Sequence, residues 1–295
     1  MSLIRLGFVG VIAGALLTSP AQAETPLEYF DPASNWVMDY GEDSCALRRA
    51  YADAEGRTVY VDMRQVAPGT WLTFTVFSED LERMPEEVRY RFEPDDENSD
   101  VGFAFALDFG ETARGFRFSG DYLRKEERPD DWEDYQNVDP SILAAREAEV
   151  SAMVILEGFE DSILLRTGSL TGPMQAMRAC LDDLMSGLGV DPEVQRTLSR
   201  RAEPVNDISI SQNLGADFPR AMIRDRQSAT MQVRLVVGPD GRVSDCSIIG
   251  IVGPPDYGEA ACGSFSRYAR FEPALDADGN PVATLWNTDL SYWTR

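Results

Sequence analysis

Met231-Gln232-Val233-Arg234-Leu235-Val236-Val237, then Gly238-Pro239-Asp240-Gly241, then Arg242-Val243-Ser244 is the stretch on which the fold turns. Val233, Leu235 and Val237 alternate with Gln232, Arg234 and Val236, which is the period of a strand with one face mostly buried. Pro239 and the two flanking glycines sit where a tight turn needs them, and a second strand-like run continues to Ile249, so the segment is predicted to be a β-hairpin. Further on, Pro254, Pro255 and Asp256 precede Tyr257 to Tyr268, where Ala260, Ala261, Ser264, Phe265 and Tyr268 recur at helical spacing. Asp276 to Pro281 reads as another turn. In the final run Val282, Thr284, Trp286, Thr288, Leu290 and Tyr292 share one face, with Asn287, Asp289 and Ser291 on the other. An antiparallel sheet covered by helix on one face accounts for these periods together.

Asp217-Phe218-Pro219-Arg220-Ala221 before the hairpin and Arg270-Phe271-Glu272-Pro273-Ala274 after the helix complete an order of elements that resembles the C-terminal domain of TonB. TonB is the periplasmic protein that couples an inner-membrane motor to outer-membrane receptors. The resemblance covers roughly residues 210–295 and implies a module that binds peptide strands and performs no chemistry. It also implies that the last strand pairs with an extended peptide, which places the contact on Thr284, Leu285, Trp286, Asn287, Thr288, Asp289, Leu290 and Ser291. Backbone groups there would supply affinity and neighbouring side chains selectivity. The same edge is open to a second copy, giving a homodimer, or to cover by the rest of the chain. Energy-transducing TonB proteins keep an uncleaved N-terminal helix and a long Pro/Lys-rich spacer. Neither is read in this chain, so the resemblance is carried to fold and binding mode rather than to force transmission.

At the other end, Met1 to Ala23 holds Arg5, an apolar run from Leu6 to Leu17, and Ala21-Gln22-Ala23 before Glu24. These are the charged start, apolar core and small-residue cleavage site of a secretory signal peptide, with cleavage expected after Ala23. The apolar run is about twelve residues, short of the roughly 18–20 that span a bilayer. The expected product is exported, periplasmic and without stable membrane insertion. Loss of residues 1–23 removes one arginine from 27 basic residues against 50 acidic ones, which leaves a net charge near −24. That charge repels nucleic acid and anionic lipid surfaces, so neither is expected as a partner.

The cysteines are Cys45, Cys180, Cys246 and Cys262, and an even number in an exported chain points to disulfides. Four cysteines allow three connectivities. The pairing confined to each half is Cys246 with Cys262, strand to helix within the TonB-like segment, and Cys45 with Cys180. No C-x-x-C pair and no histidine occur, so no metal and no cofactor is expected. Without histidine there is no Ser-His-Asp or Cys-His arrangement, and a Ser-Lys pair would have to use Lys125 in a charged stretch. Carboxylate-only catalysis stays formally open, but no Asp-Thr-Gly or Asp-Ser-Gly occurs; the expectation is a non-enzyme.

Residues 24–190 read as a β-rich N-terminal domain. Thr58 to Met63, Trp71 to Phe77, Val88 to Phe92, Gly102 to Phe109, Gly115 to Phe118, Ala152 to Leu156 and Ser162 to Leu165 are strand-like, as are Trp36 to Tyr40 and Cys45 to Arg48. From Pro173 a helix places Met174, Met177, Cys180, Leu181 and Leu184 on one face, and a weaker helix runs from Pro140 to Val150. Residues 191–209 are polar and read as a linker. The fold class is therefore α+β: a β-rich domain closed by a helix, then a small TonB-like domain. The N-terminal half resembles those ahead of TonB-like domains in other secreted bacterial proteins of no assigned activity, and that resemblance implies none.

Several apparent motifs fail on spacing. Asp96, Asn98 and Asp100 begin a calcium-loop pattern, but Val101 and Leu107 stand where Gly and Glu are required; Asp276, Asp278 and Asn280 fail likewise at Pro281 and Asn287. The acidic run Glu126 to Asp134 is expected to be a solvated loop, and Met174, Met177 and Met185 to be core rather than a soft-metal stripe. Three functions remain. The chain binds a protein or peptide strand through its last strand, serves as a TonB-type component of outer-membrane transport with a receptor as partner, or binds a small molecule or envelope component through its N-terminal domain.

Overall fold

The structure is a computed structural model that describes residues 27–81, 83–94, 104–108, 114–130, 138–205, 207–217, 220 and 224–292. The predicted signal peptide, the stretch around Asp96 to Asp100, and Asp131 to Asp134 of the acidic run lie outside these residues.

The N-terminal half is built from β1 (Leu27–Pro32), β2 (Val37–Tyr40), β3 (Cys45–Ala52), β4 (Thr58–Gln65), β5 (Leu72–Ser78), β6 (Tyr90–Glu93), β7 (Phe105–Asp108), β8 (Arg114–Gly120), β9 (Ala152–Ile155) and β10 (Ser162–Leu165). They form one sheet in the order β6-β9-β10-β1-β3-β4-β5-β8-β7, with β2 also on β3. Strand β1 joins its two limbs: Leu27 to Phe30 run parallel to β10, and Asp31 and Pro32 turn antiparallel onto β3. The limbs fold over one another, so that Phe74 of β5 meets Tyr90 and Phe92 of β6, with ring centroids 5.4 and 6.0 Å apart. Phe116, Phe118, Val59, Val61 and Met63 complete a dry core, stabilised by burial of large apolar area and by offset ring contacts.

Two helices close this layer. In α1 (Pro140–Glu149) Asp139 caps the first turn by accepting from the Ser141 amide, and Pro140 sits where its missing N–H costs nothing. The second, α2 (Thr171–Gly187), starts two residues before the predicted Pro173 and buries Met174, Met177, Cys180, Leu181 and Met185. The methionines are core, as their spacing predicts. Cys180 bonds to Cys45 at the start of β3.

The described part of the stretch expected to be a linker carries elements and hydrogen bonds of its own. It contains α3 (Pro192–Gln195), capped by Asp191, and β11 (Glu203–Pro204). The Ser199 amide donates to the Leu275 carbonyl at 2.9 Å, and the Leu275 amide donates back to Arg200 at 2.9 Å. A helix not read from the sequence follows, α4 (Asp207–Ala216), with Ile210 and Leu214 buried four residues apart.

The C-terminal part then runs β12 (Ala229–Val237), β13 (Val243–Val252), α5 (Asp256–Tyr268), β14 (Phe271–Glu272), β15 (Ala274–Leu275), β16 (Pro281–Val282) and β17 (Thr284–Tyr292). Its main sheet has the order β13-β12-β17, all antiparallel, while β11 pairs with β14 and β15 with β16. Met231, Val233, Leu235 and Val237 face Tyr257, Ala261 and Phe265 of α5, with Ile210 and Leu214 of α4 alongside. Cys246 of β13 bonds to Cys262 of α5, so both disulfides join the cysteines within each half.

The hairpin turn between β12 and β13 is keyed to Phe271. Gly241 has φ +72°, and a Cβ there would stand 2.1 Å from the Phe271 carbonyl oxygen. The Phe271 amide donates to the Gly241 carbonyl at 2.9 Å. Gly241→Ala combines left-handed strain with a backbone clash and is expected to cost about 2–4 kcal/mol in urea unfolding. Gly279→Ala, at φ +83° with nothing within 4 Å, is the control; it carries the strain alone, about 1–2 kcal/mol.

Candidate partner-binding edge

Strand β17 pairs with β12 over nine consecutive residues, from Ala229↔Tyr292 to Val237↔Thr284, without a register shift. On its other side no strand pairs with it among the described residues. The opposite flank, β13, is also an edge but an irregular one. It carries one extra residue at Ile249 and another at Ser244 relative to β12. Such bulges twist and break the row of free backbone groups and discourage further pairing. Of the two flanks, β17 is the straighter template.

The register separates the predicted contact residues into two faces. Thr284, Trp286, Thr288 and Leu290 point to the helix side, where the Trp286 ring lies 6.5 Å from Phe265 and 5.2 Å from Phe271. Tyr292, at the end of the strand, stacks on Tyr257 at 5.4 Å. Leu285, Asn287, Asp289 and Ser291 point the other way, and of the predicted stretch only Asp289 and Ser291 are exposed. Partial burial still pushes the Asp289 carboxyl above its ordinary pKa. A strand added to this edge would therefore be gripped by backbone more than by side chains.

The outer face is not the polar surface that alternation predicts. The N-terminal half covers it, and β12 is buried on both sides. Val236 packs with Met185 and Val190, joined by Leu188, Ala283 and Leu285. Gln195 donates from Nε2 to the Ala283 carbonyl at 3.0 Å and accepts from the Thr284 hydroxyl. Arg234, only 1 % exposed, donates to the Asp43 carbonyl at 2.8 Å and to its carboxylate at 2.9 Å. Burial pulls the Arg234 guanidinium below its ordinary pKa, and Asp43 opposes that shift. Directly across the strand pair, Asn287 has a buried Oδ1 without a partner, as is the Nε of Arg234. The sequence reading passed over Asp43, Gln195 and Arg234. A charge at the centre of a strand as apolar as β12 is the one signal that marked the last of them.

The match that decides what this module is covers the same elements. Residues 215–292 match the family model of the Gram-negative bacterial TonB protein C-terminal. The match begins in the last turn of α4 and ends with β17, so the C-terminal domain is TonB-like and the rest of the chain lies outside the match. No curated protein matches the chain. Among the described residues no helix is long and apolar enough to cross a membrane, and no cluster of three or more acidic or cysteine side chains is arranged to hold a metal.

Proposed function

We propose that this protein is a non-enzymatic, extracytoplasmic binding protein that recognises a protein partner by adding the partner's strand to β17, along Thr284 to Ser291. The observation that carries the reading is an unshifted nine-residue ladder whose far side has no partner strand among the described residues. The TonB-like match supports protein binding rather than chemistry, because TonB modules work through partners. Two disulfides support an oxidising compartment such as the periplasm. Gln195 on Thr284, Met185 in the cluster with Leu285, and Asp43 on Arg234 of the neighbouring β12 hold β17 in one position before any partner arrives, which lowers the ordering cost of association.

The test places a photoreactive side chain at Asp289 or Ser291, the exposed positions of β17, and a control at Tyr60, an exposed position of the N-terminal half. The expected result is a discrete protein adduct from Asp289 and Ser291 in living cells and none from Tyr60. Adducts with an outer-membrane receptor would assign the module to transport, and adducts with the same chain would make it a homodimer edge. Equal labelling from all three positions, or none, overturns the proposal.

A further inference from the structure

An open cleft of about 520 Å³ lies in the N-terminal half, away from β17. Tyr29, Pro32, Ala152 and Leu164 supply an apolar lining, and Arg49 and Thr167 stand at its wall. Its charges are unevenly matched. The carboxylate of Asp31 is paired with Arg166 at 2.7 Å, and that of Glu93 with Arg91 at 3.0 Å. Arg49 has no carboxylate among its described partners. It donates from Nε to the Ser34 carbonyl at 2.9 Å and from Nη1 to the Thr167 carbonyl at 2.7 Å, and these neutral acceptors leave its charge uncompensated. This occurs in a chain of net charge −23, where acidic side chains outnumber basic ones almost two to one.

A second observation points the same way. The Arg49 guanidinium lies over two rings, 5.3 Å from the centroid of Trp36 and 5.6 Å from that of Tyr51. The buried indole Nε1 of Trp36 has no hydrogen-bond partner among the described residues. Burial raises the Tyr51 pKa, and the charge of Arg49 and a hydrogen bond from it oppose that shift. Arg49, which lines the cleft, thus links it to the two rings behind, and the orphaned Trp36 Nε1 there is uncommon enough to need a reason.

We propose that this cleft binds a small amphipathic carboxylate, with its head on Arg49 and its apolar body against Tyr29, Pro32, Ala152 and Leu164. A carboxylate is acceptor-only and can take the Arg49 N–H groups that the Ser34 and Thr167 carbonyls leave, at a guanidinium with no carboxylate of its own. An amine would meet Arg49 as a like charge. A neutral amide would bring its own N–H donors to a site that already has donors in excess. The negative field of the whole chain does not forbid this, because distant charges are screened beyond about 8 Å at physiological salt while Arg49 acts at contact. Clefts of this size are common for small ligands. The site is separate from the β17 edge, so the two proposals stand or fall independently.

The probes are 3-phenylpropionate and octanoate, each compared with its neutral amide, titrated into the full mature chain and followed by calorimetry and by the Trp36 indole N–H resonance assigned with W36F. Both acids are expected to bind saturably at one site and to move that resonance, with the amides about tenfold weaker or more. Arg49→Gln is expected to bring the acids down to the amides, and Arg49→Lys to restore part of the difference. Because Arg49 also ties two loops, the acid–amide comparison on the unaltered chain is the primary result and does not depend on the variants folding. Equal affinity for acid and amide, saturable binding that leaves the Trp36 resonance in place, or no saturable binding of either acid overturns the proposal.

Discussion

Cys45→Ala/Cys180→Ala is expected to lower the unfolding free energy by about 5 kcal/mol, the larger of the two disulfide effects in this chain. The bond closes a loop of sequence separation 135, whereas Cys246–Cys262 closes one of 16. By chain entropy the short loop is worth about 3 kcal/mol, so the long bond restricts the unfolded chain more. Both sulfurs of the long bond sit in the N-terminal core, and the alanines would also leave a small cavity beside Leu47 and Met177. Since whole domains are stable by only about 5–15 kcal/mol, the loss would leave the N-terminal half close to unfolding. The measurement is urea unfolding of the double variant and of Cys246→Ala/Cys262→Ala, each followed by far-UV circular dichroism and by tryptophan emission. A smaller loss from the long loop than from the short one would show that α2 is held to β3 by packing alone. The consequence reaches the proposed site, because α2 also carries Met185 into the cluster with Val236 and Leu285. Loosening α2 uncovers the outer face of β12 and β17, and crosslinking from Leu285, weak in the intact protein, should rise in the variant.

The parts of this fold that were legible in the sequence are those set by local period. The alternation from Met231 to Val237 marks a strand that the structure starts two residues earlier, Ser162 to Leu165 gives the limits of β10, and helical spacing finds α5 to within a residue of its start. Pairing the cysteines within each half required only that strand and helix in one unit lie close. What was not legible depends on residues far apart. Strand β1 buries Phe30 alone, and its place between the limbs is set by parallel pairing with β10, 135 residues later. Ile208, Ile210 and Leu214 are three apolar positions in a polar stretch whose spacing of two and then four fits no single period, and α4 forms because α5 offers Ile210 and Leu214 a surface. Arg234 looks like a solvent-facing position of an amphipathic strand. It is buried because Asp43, 191 residues earlier, brings a carboxylate and a carbonyl to it. The cleft is in the same class: Arg49 is one of many arginines until the fold sets Trp36, Tyr51 and the Thr167 carbonyl around it. The β17 edge was legible as a strand. That it is the straighter flank follows only from the extra residues at Ser244 and Ile249 in its counterpart.

Glu147→Ala is expected to cost about 1–3 kcal/mol, and Arg178→Ala, which removes the exposed partner of the same ion pair, about 3–5 kcal/mol. The Glu147 side chain is 1 % exposed, and it accepts from Arg178 through both oxygens, at 2.6 and 3.0 Å, and from the Tyr122 hydroxyl at 2.9 Å. Its backbone carbonyl receives the Leu170 amide at 2.8 Å and the Ser169 hydroxyl at 3.0 Å, which seats the start of α2 on the end of α1. Beside it Arg146, also buried, donates to the carbonyls of Tyr122 and Phe92. Removing the carboxylate orphans the Tyr122 hydroxyl, while Arg178, 45 % exposed, turns to solvent. Arg178→Ala instead leaves the Glu147 carboxylate, 1 % exposed, with only the Tyr122 hydroxyl to answer it, and an uncompensated buried charge is the costlier remainder. The two single variants and the double variant form a cycle. If the pair itself held α1 and α2 in place, the singles would cost alike and the double little more than either. If burial of the Glu147 carboxylate decides the matter, Arg178→Ala exceeds Glu147→Ala, the double variant falls back toward Glu147→Ala, and Glu147→Gln, which keeps an acceptor for Tyr122, costs less than Glu147→Ala. The second pattern is the one this geometry requires.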